Sequence, residues 1–110
     1  MNSSRVFDVR TYSAAPGKLE ELKARFRIHT LGFFKRHGIK VVGFFEPVDG
    51  SETLLYIVEF ESSEEADRAW ERFGRDPEWA KAKASTETDG PLVVHIDAQR
   101  FRATDFSPMS

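Results

Sequence analysis

The 110-residue chain contains no cysteine, which excludes a disulfide framework, a thiolate-ligated zinc or iron–sulfur centre and a thiol nucleophile. No apolar run approaches the ~20 residues of a membrane span, and the opening MNSSRVFDVR lacks the hydrophobic stretch of a secretory signal. A cytoplasmic protein without a membrane span is therefore expected. The seven glycines never fall into GxGxxG or GxxxxGK[ST] order, so no phosphate-binding loop is signalled. There is no GxSxG for a serine nucleophile and no HExxH or three-ligand cluster. No metal and no cofactor are expected.

What is present is enough for one domain. Hydrophobic residues make 40%, charged residues 31%, and the formal charge is -2, a soluble globular profile. A chain this long buries roughly two-thirds of its extended surface, which predicts a single domain over residues 1–110, with the core at about 5–101 and a polar tail at 102–110. Charge is unevenly placed. Residues 1–45 carry nine basic and three acidic side chains, and residues 46–110 carry seven basic and fifteen acidic ones. The division fits solvated faces of opposite sign, or a polar contact with another subunit or protein. Nucleic-acid binding is not expected: the chain is slightly acidic, and Arg25, Arg27, Lys35 and Arg36 would have to form a continuous stripe.

Along the chain, a first strand reads from Arg5 to Tyr12, with Phe7 and Val9 on one face and Asp8, Arg10 and Tyr12 on the other. Pro16-Gly17 breaks it. A helix then runs to about His37 on Leu19, Leu22, Phe26, Thr30, Phe33 and Phe34, with Gly38 as its C-cap residue. A second strand covers Ile39 to Glu46, and Asp49-Gly50 turns the chain into a third from Thr53 to Phe60 that is apolar on both faces. Ser62 and Glu65 have capping-box spacing and open a second helix, ended by Gly74. Asp76-Pro77 starts a short helix carrying Trp79, and Gly90-Pro91 introduces a last strand from Leu92 to Phe101. The order βαββαβ, with a right-handed crossover and a hairpin, predicts an α+β, ferredoxin-like fold with an antiparallel sheet. Helices would cover one sheet face only. The doubly apolar third strand therefore predicts a homodimer packed sheet to sheet.

Two polar rows stand out on strands. Asp8, Arg10 and Tyr12 share one face, and His95, Asp97 and Gln99 share another. Adjacent antiparallel strands would bring them together, with Asp8 or Asp97 orienting His95 and Arg10 free for an anion; the alternative is a polar network closing the core. His29 and His37 lie eight residues apart, ~12 Å along a helix, too far to share a metal. Phe26, Phe33, Phe34, Phe44, Phe45, Trp70, Phe73 and Trp79 fill a core or wall a cavity for a small apolar or aromatic molecule. The candidate binding set is Arg10, Tyr12, His29, Phe33, Phe34, His37, Trp79 and His95. For catalysis, His29 or His95 would take a proton while Tyr12 or Arg10 held the oxyanion.

The segments RTYSAAPGKLEEL, FRIHTLGFFKRHGIKVVGFFEP, LLYIVEFES, AWERFGRDPEW, ASTETDGPLV and RATDFSP resemble, in order and spacing, those of the NIPSNAP family, from about Phe7 to Pro108. The resemblance implies a ferredoxin-like subunit paired into a dimeric α/β barrel. It brings no established reaction, although the wider structural group includes cofactor-free monooxygenases of aromatic polyketides and haem-degrading oxygenases. Positions matching the family pattern are Arg10, Tyr12, His29, His37, Trp79, Glu87 and Asp105. The asparagine–tryptophan–histidine pattern of haem-degrading relatives has no clear counterpart, since Asn2 is the only asparagine. The function expected is binding of a small hydrophobic or aromatic ligand in a helix–sheet cleft, or a structural role. The alternative is a cofactor-independent monooxygenase or isomerase of a small aromatic substrate.

Overall fold

Leu54, Tyr56, Val58 and Phe60 are all buried, while Leu55, Ile57 and Glu59 between them are only half so. This alternation divides the sheet into an inner face under helices and an outer face without them. The computed structural model describes residues 4–109. Its strands are β1 (Val6–Ala14), β2 (Lys40–Phe45), β3 (Thr53–Phe60) and β4 (Val93–Phe101), and they lie in the order β2-β3-β1-β4. All neighbours are antiparallel. The fold is thus α+β and ferredoxin-like, with the first and third strands central as the element order predicts. Among the described residues no helix is long and apolar enough to cross a membrane.

The first helix, α1, covers residues 19–36 and is not uniform. Leu22, Phe26, Thr30 and Phe34 are buried at every fourth position, with Arg25 buried beside them. In an ideal α-helix each such step drifts by about 40°, which would carry the stripe off the sheet. Phe26–Thr30 is π-helical, a wider turn that takes up the drift and keeps all four side chains on the core. Gly38 closes the helix with φ 74°, a conformation that only glycine adopts freely.

The second helix, α2 (Ser63–Arg75), begins with Ser62 Oγ accepting from the Glu65 N–H at 3.1 Å. Only half of the capping box forms, because the Glu65 carboxylate turns to Arg68 at 3.3 Å and Arg72 at 3.0 Å. Gly74 does not end this helix; it continues to Arg75. The stop is Asp76, which is extended ahead of Pro77. Asp76 caps α3 (Pro77–Ser85), its Oδ1 accepting from Glu78 N–H at 2.9 Å and Trp79 N–H at 3.4 Å. Its Oδ2 accepts from His37 Nε2 at 2.7 Å and Arg36 at 3.0 Å.

Much of the charge asymmetry is met inside the chain. Lys23 pairs with Glu46 at 2.9 Å, Arg25 with Glu87 at 3.1 Å, Arg36 with Asp76 at 3.0 Å and Lys40 with Glu59 at 3.4 Å. The basic first half and the acidic second half thus fold onto each other. The tail returns over one end of the outer face, where Ser107 and Met109 border Phe7, Val9, Ile57 and Phe101. The Arg5 guanidinium donates to the Met109 carbonyl.

Leu22 is fully buried in the core, so Leu22→Ala should lower unfolding free energy by about 2–5 kcal/mol in urea titrations. The Asp76 carboxyl is held at about 2, below the ordinary 3.8, first by the His37 hydrogen bond and then by Glu78 N–H and Arg36, against the opposing effect of burial. Its folded-state value lies below the unfolded one, so its contribution is present above about pH 4 and is lost as pH falls toward 2. Thermal midpoints measured across that window should fall more steeply for the wild type than for Asp76→Asn.

Candidate functional site

Central strands normally present apolar side chains to the helices above them, yet β1 points Asp8, Arg10 and Tyr12 inward. Each finds a different solution. Asp8 is 5% exposed. One oxygen accepts from Arg100 Nε at 2.7 Å, and the other from Arg100 Nη2 at 3.2 Å and Trp70 Nε1 at 2.7 Å. Arg10 sits over the Trp70 ring, its guanidinium carbon 4.2 Å from the centroid, and its Nη2 donates to Tyr12 Oη at 3.4 Å. Tyr12 and Tyr56 share a hydrogen bond at 2.9 Å. Burial, with the nearby Tyr12 phenol, pushes the Tyr56 hydroxyl far above its ordinary range, so it stays protonated.

A second polar group descends from the helices. Arg25, only 4% exposed, donates to Glu87 at 3.1 Å and Thr86 Oγ1 at 3.4 Å, with its guanidinium 5.8 Å from the Trp79 ring. Glu87 also accepts the Leu92 N–H at 3.4 Å and lies 3.7 Å from Lys83. Burial acts to raise the Glu87 carboxyl, but the Arg25 hydrogen bond, the Lys83 charge and the Leu92 N–H outweigh it and hold it below its ordinary value.

Between these two groups runs a cleft of about 570 Å³, bounded by β1, the start of β4, α1 and α3. This volume is in the usual range for small-molecule sites. Phe26, Phe73, Trp79, Val93 and Ile96 supply apolar walls, and Arg10, Tyr12, Arg25, Thr30 and Glu87 supply polar ones. Among the described residues, the buried side-chain nitrogens or oxygens lacking a partner are Arg10 Nε and Arg25 Nε. Both residues line this cleft. A smaller depression of about 310 Å³ lies between α1 and β2, but there Lys23 and Glu46 already pair with each other.

The candidate residues divide accordingly. Arg10, Tyr12 and Trp79 line the cleft. His95 borders it from the edge strand, but it is exposed and pairs in register with Ser13, on the outer face. Asp97 and Gln99 lie opposite Thr11 and Val9, also outward. The expected meeting of the two polar rows therefore does not occur: β4 pairs one residue out of phase with that expectation, and a one-residue offset reverses faces. Ile96, Ala98 and Arg100 face inward instead, opposite Tyr12, Arg10 and Asp8.

His29 is half-buried in the π-helical turn and does not line the cleft. Phe34 is a core residue at 1% exposure. Phe33 packs on Trp79 with ring centroids 5.8 Å apart and carries the Arg36 guanidinium at 4.8 Å. His37 is engaged by Asp76. Arg25 and Thr30 were not among the candidates. The signal for Arg25 was its place three residues after Leu22, a cation on the stripe that faces the core. Among the described residues, no three His, Asp or Glu side chains converge as a metal-holding group.

A family model described as NIPSNAP matches residues 7–108. Solved structures agree in shape. A NIPSNAP family protein of unknown function from Agrobacterium tumefaciens superposes at TM-score 0.85 with 19% identity, covering 100% of this chain and 97% of that one. An uncharacterised NIPSNAP-like domain protein from Burkholderia xenovorans gives 0.84 with 18% identity, covering 97% and 91%. SnoaB, a cofactor-independent oxygenase from Streptomyces nogalater, gives 0.66 with 18% identity, covering 96% and 99%. No curated protein sequence matches significantly.

Glu87→Ala should leave the Arg25 cation buried without its carboxylate. An unfolding free energy lower by about 3 kcal/mol is expected, near the low end for broken buried pairs because Glu87 keeps some solvent contact. Denaturant unfolding of the single variant, and of Arg25→Met with Glu87→Ala together, measures it; the double variant should recover part of the loss.

Proposed function

The chain belongs to the NIPSNAP family, and we propose that it is a binding protein for a small aromatic or apolar molecule, held in the cleft between α1, α3, β1 and β4. The observation that carries this reading is the composition of the cleft walls. Aromatic rings enclose a space of ligand size, and a few polar groups are fixed in place around it by their own hydrogen bonds. Rigid polar groups on an apolar surface orient a ligand at little entropic cost. The same groups favour holding over proton abstraction: the cleft presents guanidinium groups, and the Tyr56 phenol behind Tyr12 is kept protonated. The likeness to an oxygenase is one of fold and brings no reaction with it.

The protein acts as a homodimer in this reading. On the outer face, Phe45, Leu55 and Thr11 lie side by side across three strands, and Ile57 and Val9 form the next row. Phe45 is 53% exposed. A second copy packed on these rows would remove them from water.

Titrating a panel of aromatic and aliphatic compounds while following tryptophan emission should reveal saturable binding, and Trp79→Ala should weaken it about tenfold or more. A panel without any saturable ligand, with the protein folded, would overturn the binding reading. Native mass spectrometry should give the mass of two chains for the wild type and of one chain for Ile57→Glu, which places a charge in the middle of the outer face.

A further inference from the structure

The geometry points to an aromatic carboxylate as the ligand, its carboxylate on Arg10 and Tyr12 and its ring against Phe26, Phe73 and Trp79. This inference rests on the cleft being the binding site proposed above and adds the chemical class of what it holds.

The starting observation is a cation without a counter-charge. Arg10 is half-buried in a central strand, and among the described residues it forms no ion pair. The acid two residues away on the same face does not pair with it: the oxygens of Asp8 accept from Arg100 and Trp70. Removing a guanidinium from water without a carboxylate is unfavourable for folding. The fold nevertheless holds this one in a defined pose, 4.2 Å over the Trp70 ring and bonded to Tyr12 Oη. A cation–π contact holds the guanidinium in place and leaves its charge unneutralised. Arg10 lines the cleft, and its guanidinium is a planar donor group that matches the two oxygens of a carboxylate.

Arg25 sharpens the chemistry. It is 96% buried by its 4% exposure, lines the same cleft, and its Nε, like that of Arg10, is without a partner. Its charge is already met by Glu87 at 3.1 Å. It therefore adds little net charge to the cleft and does not call for a second carboxylate on the ligand. Counting the wall, Arg10, Arg25 and Lys83 face a single carboxylate, Glu87. That leaves room for an anion and disfavours a cationic ligand.

The test is calorimetric titration of naphthoate and its neutral isostere naphthamide into wild-type protein, Arg10→Gln and Arg10→Lys at neutral pH. Naphthoate should bind the wild type about 10- to 100-fold tighter than naphthamide, the range of a hydrogen bond to a charged group. Arg10→Gln should bring the two ligands within about twofold, with the larger loss falling on naphthoate. Arg10→Lys keeps the charge but not the fork and should show an intermediate preference; if Arg10→Gln does not fold, a preference reduced in Arg10→Lys supports the assignment and one unchanged overturns it. Equal wild-type affinities would overturn the carboxylate assignment and leave the apolar cleft standing. A preference unchanged in the Arg10 variants would also overturn it, placing the anion elsewhere. Binding of neither compound would overturn it together with the aromatic-ligand reading.

Discussion

A central β-strand covered by helices has no water to satisfy its inward side chains, so each polar group placed there must find a partner within the protein or in something the protein holds. The structure depends on how β1 meets that constraint. Asp8 is satisfied by Arg100 from β4 and Trp70 from α2, which ties an edge strand and a helix to the middle of the sheet. Tyr12 is satisfied by Tyr56 on the neighbouring strand. Arg10, between them, receives an aromatic platform and one phenolic oxygen but no carboxylate. Of these three side chains on one face of one strand, Arg10 is the one whose charge is met by no carboxylate. The cleft begins where structural satisfaction ends.

The helices are arranged around the same gap. The π-helical turn keeps Phe26 and Thr30 directed at the sheet and sets Arg25 just before them, at the cleft wall. Insertions of this kind are frequent at functional sites because they re-aim side chains that a regular helix would rotate away. On the far side, Asp76 caps α3 and draws in His37 and Arg36 from the end of α1. The helix bearing Trp79 is therefore anchored at its start by the same carboxylate that holds the end of the first helix. Glu87, just beyond the end of α3, joins Arg25 to the entry of β4. Two carboxylates thus fix the wall of the cleft at both ends of one short helix.

Much of the architecture was legible in the residues. Alternation in β3, Gly38 as a helix end, Ser62 and Asp76 as caps and the Asp49-Gly50 turn are local signals, decided by side chains within a few positions of one another. The order of strands followed from handedness and connection length. The cleft was half legible: Arg10 and Tyr12 announced themselves as polar side chains on a strand that should be apolar, and Trp79 as an aromatic on a short capped helix. Gly74 misled because a glycine near a helix end is an ambiguous stop, and here Pro77 sets the boundary through the residue before it. The expected meeting of His95 with Asp8 and Arg10 failed because strand register is not a local property.

Composition and periodicity alone determined the fold class, the element order and the presence of an apolar outer sheet face, since each rests on short-range patterning and on the need to bury what is apolar. Tertiary structure decided which polar residues meet. The pairing of β4 with β1 sends His95, Asp97 and Gln99 outward and brings Arg100 in against Asp8. The return of the acidic second half onto the basic first half neutralises Arg25 but passes Arg10 by. Whether a charge is spent inside the fold or left for a ligand depends on residues far away in the chain, because a Coulombic partner within ~4 Å is fixed by packing and register and leaves no mark in the spacing of the sequence.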